Sequence, residues 1–266
     1  DEETIIRNTE SFKNFFGDEI SASVHPAIRS AEACFKSSSY AVALARKKKT
    51  RLHVFHVSTA KELELFDAGM PLEKKRITAE VCVHHLWFTN DYYRTHDNLV
   101  KWNPAIKTAE DRKGLRDGLK AGLLDVVATD HAPHLLAEKM KPYFDAPSGG
   151  PMVQHSLQAM IAMSESGLWS LADVVNYMCH KPAILFNVAK RGFIREGYFA
   201  DLVLVDTSKK YKITKSNILY KCGWSPLEGE TLPATIAKTF VNGHLVWDNG
   251  KVVGTKVGKR LGFERG

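Results

Sequence analysis

The chain has 266 residues, of which 44% are hydrophobic, 25% are charged and 10% are aromatic. A chain of this size and composition can bury a sizeable core, so we expect one large globular domain, alone or with a smaller second domain. The formal net charge is +7, but the lysines and arginines are scattered and do not alternate with aromatic residues. This distribution favours a solvated surface, and we expect no nucleic-acid partner.

The cysteines and the lengths of the apolar runs favour a cytoplasmic protein that is not embedded in a membrane. The four cysteines form no C-x-x-C pair, which argues against a cysteine zinc site, and such sparse cysteines are typical of reduced thiols in the cytoplasm. No apolar run approaches the roughly 18 residues of a transmembrane helix, so we expect no membrane association. The chain opens at Asp1 without a methionine, which we interpret as an interior point of a longer protein.

The first half of the chain alternates between strand and helix patterns. Residues 27–49 are rich in alanine and end in the basic run Arg46–Lys49, which suits the last turn of a helix. Residues 51–57 predict a strand, after which Ser58 or Thr59 is a suitable N-cap for a second helix. The same reading predicts strands at 77–83 and 125–129 and helices at 108–121, 152–165 and 170–179.

The pattern changes after about residue 190. Residues 200–206 predict a strand, and residues 238–247 predict a hairpin with Asn242-Gly243 as its turn. We therefore expect a small β module after the alternating region. The alternation itself predicts an α/β fold with a parallel sheet or barrel, in which the chemistry lies at the carboxyl ends of the strands.

Several polar residues follow the predicted strands. His56 ends one strand and Asp130 ends another, with Asn103 between them and His134 shortly after. A catalytic zinc needs a few nitrogen and oxygen ligands and an open position for water, and His56 with Asp130 would supply two ligands. A structural interpretation stays open, because a histidine at a strand end is more often hydrogen-bonded than metal-bound, and the run of residues 130–134 also fits a capped turn.

Several runs together resemble the class I dihydroorotases of the amidohydrolase superfamily. These runs are His56-Val57-Ser58-Thr59, Thr78-Ala79-Glu80-Val81 with His84-His85, Asn103-Pro104-Ala105-Ile106-Lys107, Ala128-Thr129-Asp130-His131-Ala132-Pro133-His134, Ala146-Pro147-Ser148-Gly149 and Gly197-Tyr198-Phe199-Ala200-Asp201-Leu202-Val203. The resemblance extends over nearly the whole chain, and the run of residues 128–134 is its most specific part.

The resemblance implies roles for individual residues. His56 matches the metal-binding histidine at the end of the sixth barrel strand. Asp130 matches the aspartate that ends the eighth strand, which is both a metal ligand and the catalytic proton shuttle. The residues matching substrate contacts are Asn103, His134, Ser148 and Gly149, although Ser148 stands where relatives commonly have an aromatic residue.

The resemblance also implies a fold and a reaction. Residues 1–190 would be the later part of an incomplete (β/α)8 TIM barrel, and residues 191–266 the C-terminal portion of a β-sandwich. The reaction would be the reversible conversion of N-carbamoyl-L-aspartate to dihydroorotate in pyrimidine synthesis, with one or two zinc ions. The family's remaining metal ligands are absent from this chain, so we expect the N-terminal portion of the same protein to supply them. This chain alone is expected to be poorly folded and inactive, and a homodimer is implied for the whole protein.

Other polar residues receive structural interpretations. His53 lies three residues before His56, and on a strand this odd spacing predicts that the two side chains face opposite sides. His84 and His85 are expected to make structural hydrogen bonds. Glu80, at a strand position, is expected to pair with a basic residue or a backbone donor, because an unpaired buried charge is costly.

Two other functional hypotheses stay open beside the zinc dihydroorotase. The first is a non-catalytic homologue that acts as a scaffold or partner subunit, although the presence of both His56 and Asp130 argues against it. The second is a related amidohydrolase such as a dihydropyrimidinase, a hydantoinase or an allantoinase. A nucleic-acid module would rest on the positive charge alone.

Overall fold

The computed structural model describes residues 1–17 and 19–264, which divide into two units. Unit 1 consists of Asp1–Gln154 with Ile218–Pro226, and unit 2 consists of His155–Asn217 with the residues from Leu227 onwards. The predicted domain boundary near residue 190 stays a prediction. In the described part of the chain, no helix combines the length and the apolar character that crossing a bilayer requires.

A parallel sheet lies at the centre of unit 1. Its strands are β1 (Leu52–Val54), β2 (Ile77–Cys82) and β3 (Val126–Ala128), in the order β1-β2-β3. β2 pairs with both neighbours in parallel, and every residue of this strand after Ile77 is buried. The structure therefore confirms the α/β class and the parallel sheet, because a strand covered on both faces is typical of such folds.

Helices connect and flank these strands. Their bounds in unit 1 are α1 (Glu2–Phe16), α2 (His25–Ile28), α3 (Ala31–Lys48), α4 (Val83–Trp87), α5 (Tyr93–His96), α6 (Ala109–Ala121) and α7 (Leu136–Lys139). Ser30 caps α3, and a Thr108–Asp111 capping box begins α6. The helix expected after residue 58 is a 3-10 helix at Lys61–Leu65.

Helix α1 was absent from the sequence-based prediction. Asp1 is its N-cap, since the Asp1 carboxylate accepts a hydrogen bond from the backbone N–H of Thr4. The negative charges of Glu2 and Glu3 in the first turn stabilise the helix by interacting with the positive end of its dipole. The opening Asp-Glu-Glu run is therefore a helix-start signal.

Unit 2 combines short helices with antiparallel strands. The helices are α8 (Ser156–Glu165), α9 (Leu171–Val175) and α10 (Lys181–Leu185), and a π-helical turn at Asn176–His180 joins the last two. The strands are β4 (Leu202–Asp206), β5 (Tyr211–Lys212), β6 (Thr231–Leu232), β7 (Thr235–Val241), β8 (His244–Asp248) and β9 (Lys251–Val252). Strands β4, β7, β8 and β9 form one sheet in the order β4-β7-β8-β9, and β5 pairs with β6.

The predicted hairpin is confirmed. β7 and β8 are joined by Asn242 and Gly243, whose φ angles are 50° and 84°. Two consecutive left-handed residues make the turn whose twist matches the flanking strands, which is why an Asn-Gly pair is favoured there. The small β module is thus present, while the barrel and the β-sandwich remain predictions.

Candidate functional site

The structure brings His56 and Asp130 together at the carboxyl edge of the parallel sheet. Each residue lies two positions beyond its strand, because β1 ends at Val54 and β3 ends at Ala128. Both have left-handed backbones, with φ angles of 56° and 42°. Non-glycine residues rarely adopt this conformation, and it is concentrated at functional sites. The Nε2 atom of His56 lies 3.5 Å from Oδ1 of Asp130.

Glu80, in the central strand β2, connects two histidines. Its Oε1 lies 2.7 Å from Nδ1 of His56, and its Oε2 lies 3.1 Å from Nε2 of His53. The other ring nitrogen of His53 lies 2.9 Å from the hydroxyl of Thr78. The expectation that Glu80 pairs with a basic residue is confirmed. The prediction that His53 and His56 face opposite sides is wrong, because His56 lies outside the strand and alternation does not apply there.

The electrostatics favour an ionised Glu80. Burial opposes ionisation, but the hydrogen bonds from His53 and His56 lower the pKa of Glu80 to about 2. Burial also lowers the pKa of His56, but the hydrogen bond to Glu80 and the charge of Asp130 outweigh burial and raise it. An ionised carboxylate only accepts hydrogen bonds, so Nδ1 of His56 carries the proton. In the neutral ring, Nε2 then presents its lone pair toward Asp130.

This arrangement fits a metal ligand set. An imidazole whose second nitrogen donates to a carboxylate has a fixed tautomer and a more basic ligating nitrogen, which is usual for metal-binding histidines. Asp130 contributes an oxygen donor beside Nε2. The nitrogen and oxygen donors of His56 and Asp130 suit zinc, among other divalent ions.

In the part of the chain that the structure describes, two other groups of potential ligands lie close together, and neither fits as well. They are His56, Glu80 and Cys82, and Cys82, His84 and His85, each with donor atoms within 4.8 Å of one another. Burial, with the charges of Glu80 and Asp130, raises the pKa of the Cys82 thiol well above its ordinary range, which disfavours the thiolate that a metal needs. His85 bonds the carbonyl of Pro104 at 3.1 Å, as expected for a structural histidine, while the ring of His84 stacks on Trp102.

The residues predicted to contact substrate are only partly gathered. His134 donates through Nε2 to the carbonyl of Ser148 at 3.1 Å. Gly149 has a φ of 119°, and a Cβ at this position would lie 2.8 Å from the carbonyl oxygen of Ala132 and 3.3 Å from Nε2 of His134. His134, Ser148 and Gly149 therefore form one close group that requires glycine. Asn103 is exposed and makes no hydrogen bond with these three residues.

Two buried lysines hold the loop of residues 143–149. Nζ of Lys139 donates to the carbonyls of Pro147 at 2.8 Å and Gly149 at 2.7 Å, with a longer contact of 3.4 Å to the carbonyl of Lys101. Nζ of Lys101 donates to the carbonyls of Tyr143 at 2.5 Å and Ala146 at 2.6 Å. Sequence reasoning missed both lysines, because a lysine in a polar stretch normally indicates a solvated surface.

Comparison with known proteins finds similarity to the amidohydrolase family and to dihydroorotases. A model of the amidohydrolase family matches residues 33–246. A dihydroorotase of Endomicrobium trichonymphae is 34% identical over 207 residues, which are 77% of this chain and 49% of that protein. A dihydroorotase of Halobacterium salinarum is 33% identical over 226 residues, which are 85% of this chain and 52% of that protein. The chain thus spans about half the length of the curated relatives it matches.

Solved structures agree on the fold. The L-hydantoinase (dihydropyrimidinase) from Arthrobacter aurescens has a TM-score of 0.86 at 26% identity, covering 95% of this chain and 56% of the other. A dihydropyrimidinase from Brevibacillus agri has a TM-score of 0.84 at 22% identity, with the same coverage, and shows a likeness of fold alone. Since the family model covers well over half of the sequence and the solved relatives share its fold, this chain belongs to the amidohydrolase family.

Proposed function

We propose that this chain is part of a zinc-dependent dihydroorotase that interconverts N-carbamoyl-L-aspartate and dihydroorotate in de novo pyrimidine synthesis. The observation that carries the proposal is the distance of 3.5 Å between Nε2 of His56 and Oδ1 of Asp130. Glu80 orients the imidazole by accepting a hydrogen bond from its other nitrogen, Nδ1. The named dihydroorotases among the relatives support the substrate class. On this proposal, residues 1–190 are the later part of a (β/α)8 barrel and residues 191–266 part of a β-sandwich.

His56 and Asp130 would hold the zinc, and residues outside this chain would complete its coordination. A bound zinc ion supplies Lewis acidity, which polarises a carbonyl and makes water more acidic. Glu80 keeps the proton on Nδ1 of His56, so that Nε2 stays available as a donor. The histidine pair on Glu80 also restricts rotation of that carboxylate.

Asp130 would move the proton in the reaction. In hydrolysis, water adds to the ring carbonyl, the carbon–nitrogen bond breaks and the leaving nitrogen gains a proton. The Asp130 carboxylate accepts the proton from water and delivers it to that nitrogen, as a general base that becomes a general acid. Ring closure uses the same transfers in reverse.

The substrate would be held by Asn103, His134, Ser148 and Gly149. Because Nε2 of His134 donates to the carbonyl of Ser148, its Nδ1 remains available to the substrate. The exposed amide of Asn103 offers both donors and an acceptor to the carboxylate or ring amide of dihydroorotate. The protein would act on small molecules in the cytoplasm. It would be a homodimer, and each subunit would include the N-terminal portion of the same polypeptide.

A related activity remains the second candidate. The L-hydantoinase (dihydropyrimidinase) likeness at a TM-score of 0.86 favours it, because such an enzyme would share the same fold. The two functions differ in the substrate carboxylate, which dihydroorotate carries and dihydrouracil lacks. Comparison of these two substrates therefore separates them.

The test uses the complete native polypeptide that carries this sequence. Zinc content and the hydrolysis of dihydroorotate and dihydrouracil are measured for the native protein and for His56→Ala, Asp130→Asn and the control His244→Ala. We expect dihydroorotate turnover that both site variants abolish, and His244, an exposed residue at the start of β8, should tolerate the change. Turnover of dihydrouracil alone would favour the second candidate. A folded native protein without zinc or activity would indicate a non-catalytic homologue.

A further inference from the structure

Unit 1 contains a cavity of about 280 Å³ whose lining includes none of His56, Glu80 and Asp130. Helix α1, helix α2 with the residue after it, and the loop of residues 143–148 form much of its wall. Its polar lining includes Arg29, Lys101, Tyr143 and Ser148, and its apolar lining includes Ile5 and Phe144. A concave site with an apolar wall and a few converging polar groups is the usual form of a small-molecule site.

The charge of the cavity is positive. Among the described residues, the lining contains Arg29 and Lys101 but no aspartate or glutamate. The carboxylates whose charges act on Lys101 belong to Asp97 and Asp145, neither of which lines the cavity. A further cation, Nζ of Lys13, lies 5.6 Å from the ring centre of the lining residue Phe144.

The guanidinium of Arg29 is the cavity's candidate group for binding an anion. Arg29 is half-buried, and among residues 1–17 and 19–264 its side chain makes no hydrogen bond or ion pair. A guanidinium presents five donors in a planar fork that matches carboxylate and phosphate oxygens. An anion that enters the cavity would therefore meet guanidinium donors that no described protein group occupies, with a second cation in the same lining.

The neighbouring side chains already make hydrogen bonds within the protein, so the Arg29 guanidinium is the main group that can bind a ligand. Nε2 of His25 donates to the carbonyl of Trp102 at 2.7 Å, so Nδ1 accepts from the hydroxyl of Tyr143 at 2.7 Å. Burial lowers the pKa of His25 to about 3, so the ring is neutral. Lys101 already donates to two carbonyls, which leaves one N–H for a ligand.

We propose that this cavity binds a small organic molecule with an oxyanion group, which Arg29 holds while an apolar body contacts Ile5 and Phe144. The oxyanion is a carboxylate or a phosphate, since the fork suits both. The volume of about 280 Å³ lies just below the usual range for ligand pockets, about 300–1,000 Å³, which restricts the ligand to a compact molecule. Because Ser148 also lines the cavity, a bound ligand would act on the loop to which the proposed function assigns substrate contact.

The test is isothermal titration of the complete native polypeptide with inorganic phosphate and, separately, with succinate. We expect millimolar or tighter binding of at least one, and the one that binds identifies the oxyanion. Arg29→Gln should weaken this binding about 10- to 100-fold, as expected for the loss of hydrogen bonds to a charged group. Arg94→Gln removes an equal charge from an exposed position outside the cavity and should leave the affinity unchanged.

A second variant protects the test against a misfolded Arg29→Gln protein. Ile5→Glu places a carboxylate on the cavity wall while leaving Arg29 in place, and it should abolish binding by pairing with the guanidinium. Binding by Ile5→Glu or a folded Arg29→Gln protein at native affinity would overturn the proposal. So would the failure of both anions to bind the native protein in the millimolar range.

Discussion

Replacing Lys139 by methionine should release the loop of residues 147–149. The Lys139 side chain is 1% exposed, and its ammonium makes two short hydrogen bonds, to the carbonyls of Pro147 and Gly149. Hydrogen bonds to charged groups contribute about 1.5–3 kcal/mol each, and leaving buried carbonyls without a donor adds to the loss. Relief of the cost of burying the ammonium offsets part of it. We therefore expect the free energy of unfolding to fall by about 2–4 kcal/mol.

The assay is urea unfolding of the complete native polypeptide, followed by circular dichroism. Lys141→Met is the matched control, because Lys141 is a neighbouring lysine with an exposed side chain. If the loop holds Ser148 and Gly149 against the substrate, the KM for dihydroorotate should also rise in Lys139→Met. A loss of stability within about 0.5 kcal/mol of the control would refute the reasoning, since exposed substitutions commonly have effects of this size.

The pH dependence of the same pair gives a second readout. Burial and the charge of Lys101 lower the pKa of Lys139 from 10.5 to about 7 in the folded protein. Between these two values the unfolded chain binds more protons at this site than the folded chain, so its contribution makes the free energy of unfolding rise with pH. Lys139→Met lacks this contribution. The native protein should therefore gain stability relative to Lys139→Met as the pH rises from about 7 toward 10.5, and a constant difference would contradict the burial argument.

Three further substitutions test other parts of the structure. Glu80→Gln should lower the zinc affinity about 10- to 100-fold, measured by competition with a chelator. The control Glu64→Gln changes an exposed residue and should leave the affinity unchanged. Equal zinc affinities of the two variants would contradict the positioning role of Glu80. Gly149→Ala should lower the free energy of unfolding in urea by about 1–3 kcal/mol, because of its φ of 119° and the nearby Ala132 carbonyl. The control is Gly258→Ala, since an added Cβ there meets nothing within 4 Å. Equal stability of the two variants would argue against strain at Gly149. Thr108→Ala should cost about 1 kcal/mol of thermal stability by removing the cap of α6, and an unchanged melting temperature would show that the cap is dispensable.

Local patterns were sufficient for most of the secondary structure. The helix predicted at 108–121 from its charged amphipathic pattern agrees within a residue with α6 (Ala109–Ala121), because this pattern is a local signal. The parallel sheet followed from the alternation of strands and helices. Helix α1 was not predicted, although Asp1 and the acidic residues after it form an N-terminal signal, because no residue before Asp1 marks where the preceding segment ends.

The candidate site was predictable only in part. His56 and Asp130 were identified from their places after strands and from the family resemblance, and the structure sets them 3.5 Å apart. Glu80 was expected to pair with a basic residue, but its link to both histidines depends on the left-handed backbone at His56, which alternation along a strand cannot predict. The roles of Lys139 and Lys101 were not predictable, because their partners are backbone carbonyls brought near by the fold.

On the proposed function, the central position of Glu80 would link metal binding to assembly of the sheet. β2 pairs with β1 and β3 on its two sides, and the Glu80 carboxylate reaches the histidine that follows β1. A shift of β2 by one residue would turn Glu80 to the other face, because side chains alternate along a strand. His56 would then lose its orienting partner. Metal retention should therefore report whether the three strands have paired in the native register, which makes the site a sensor of correct folding as well as a place for chemistry.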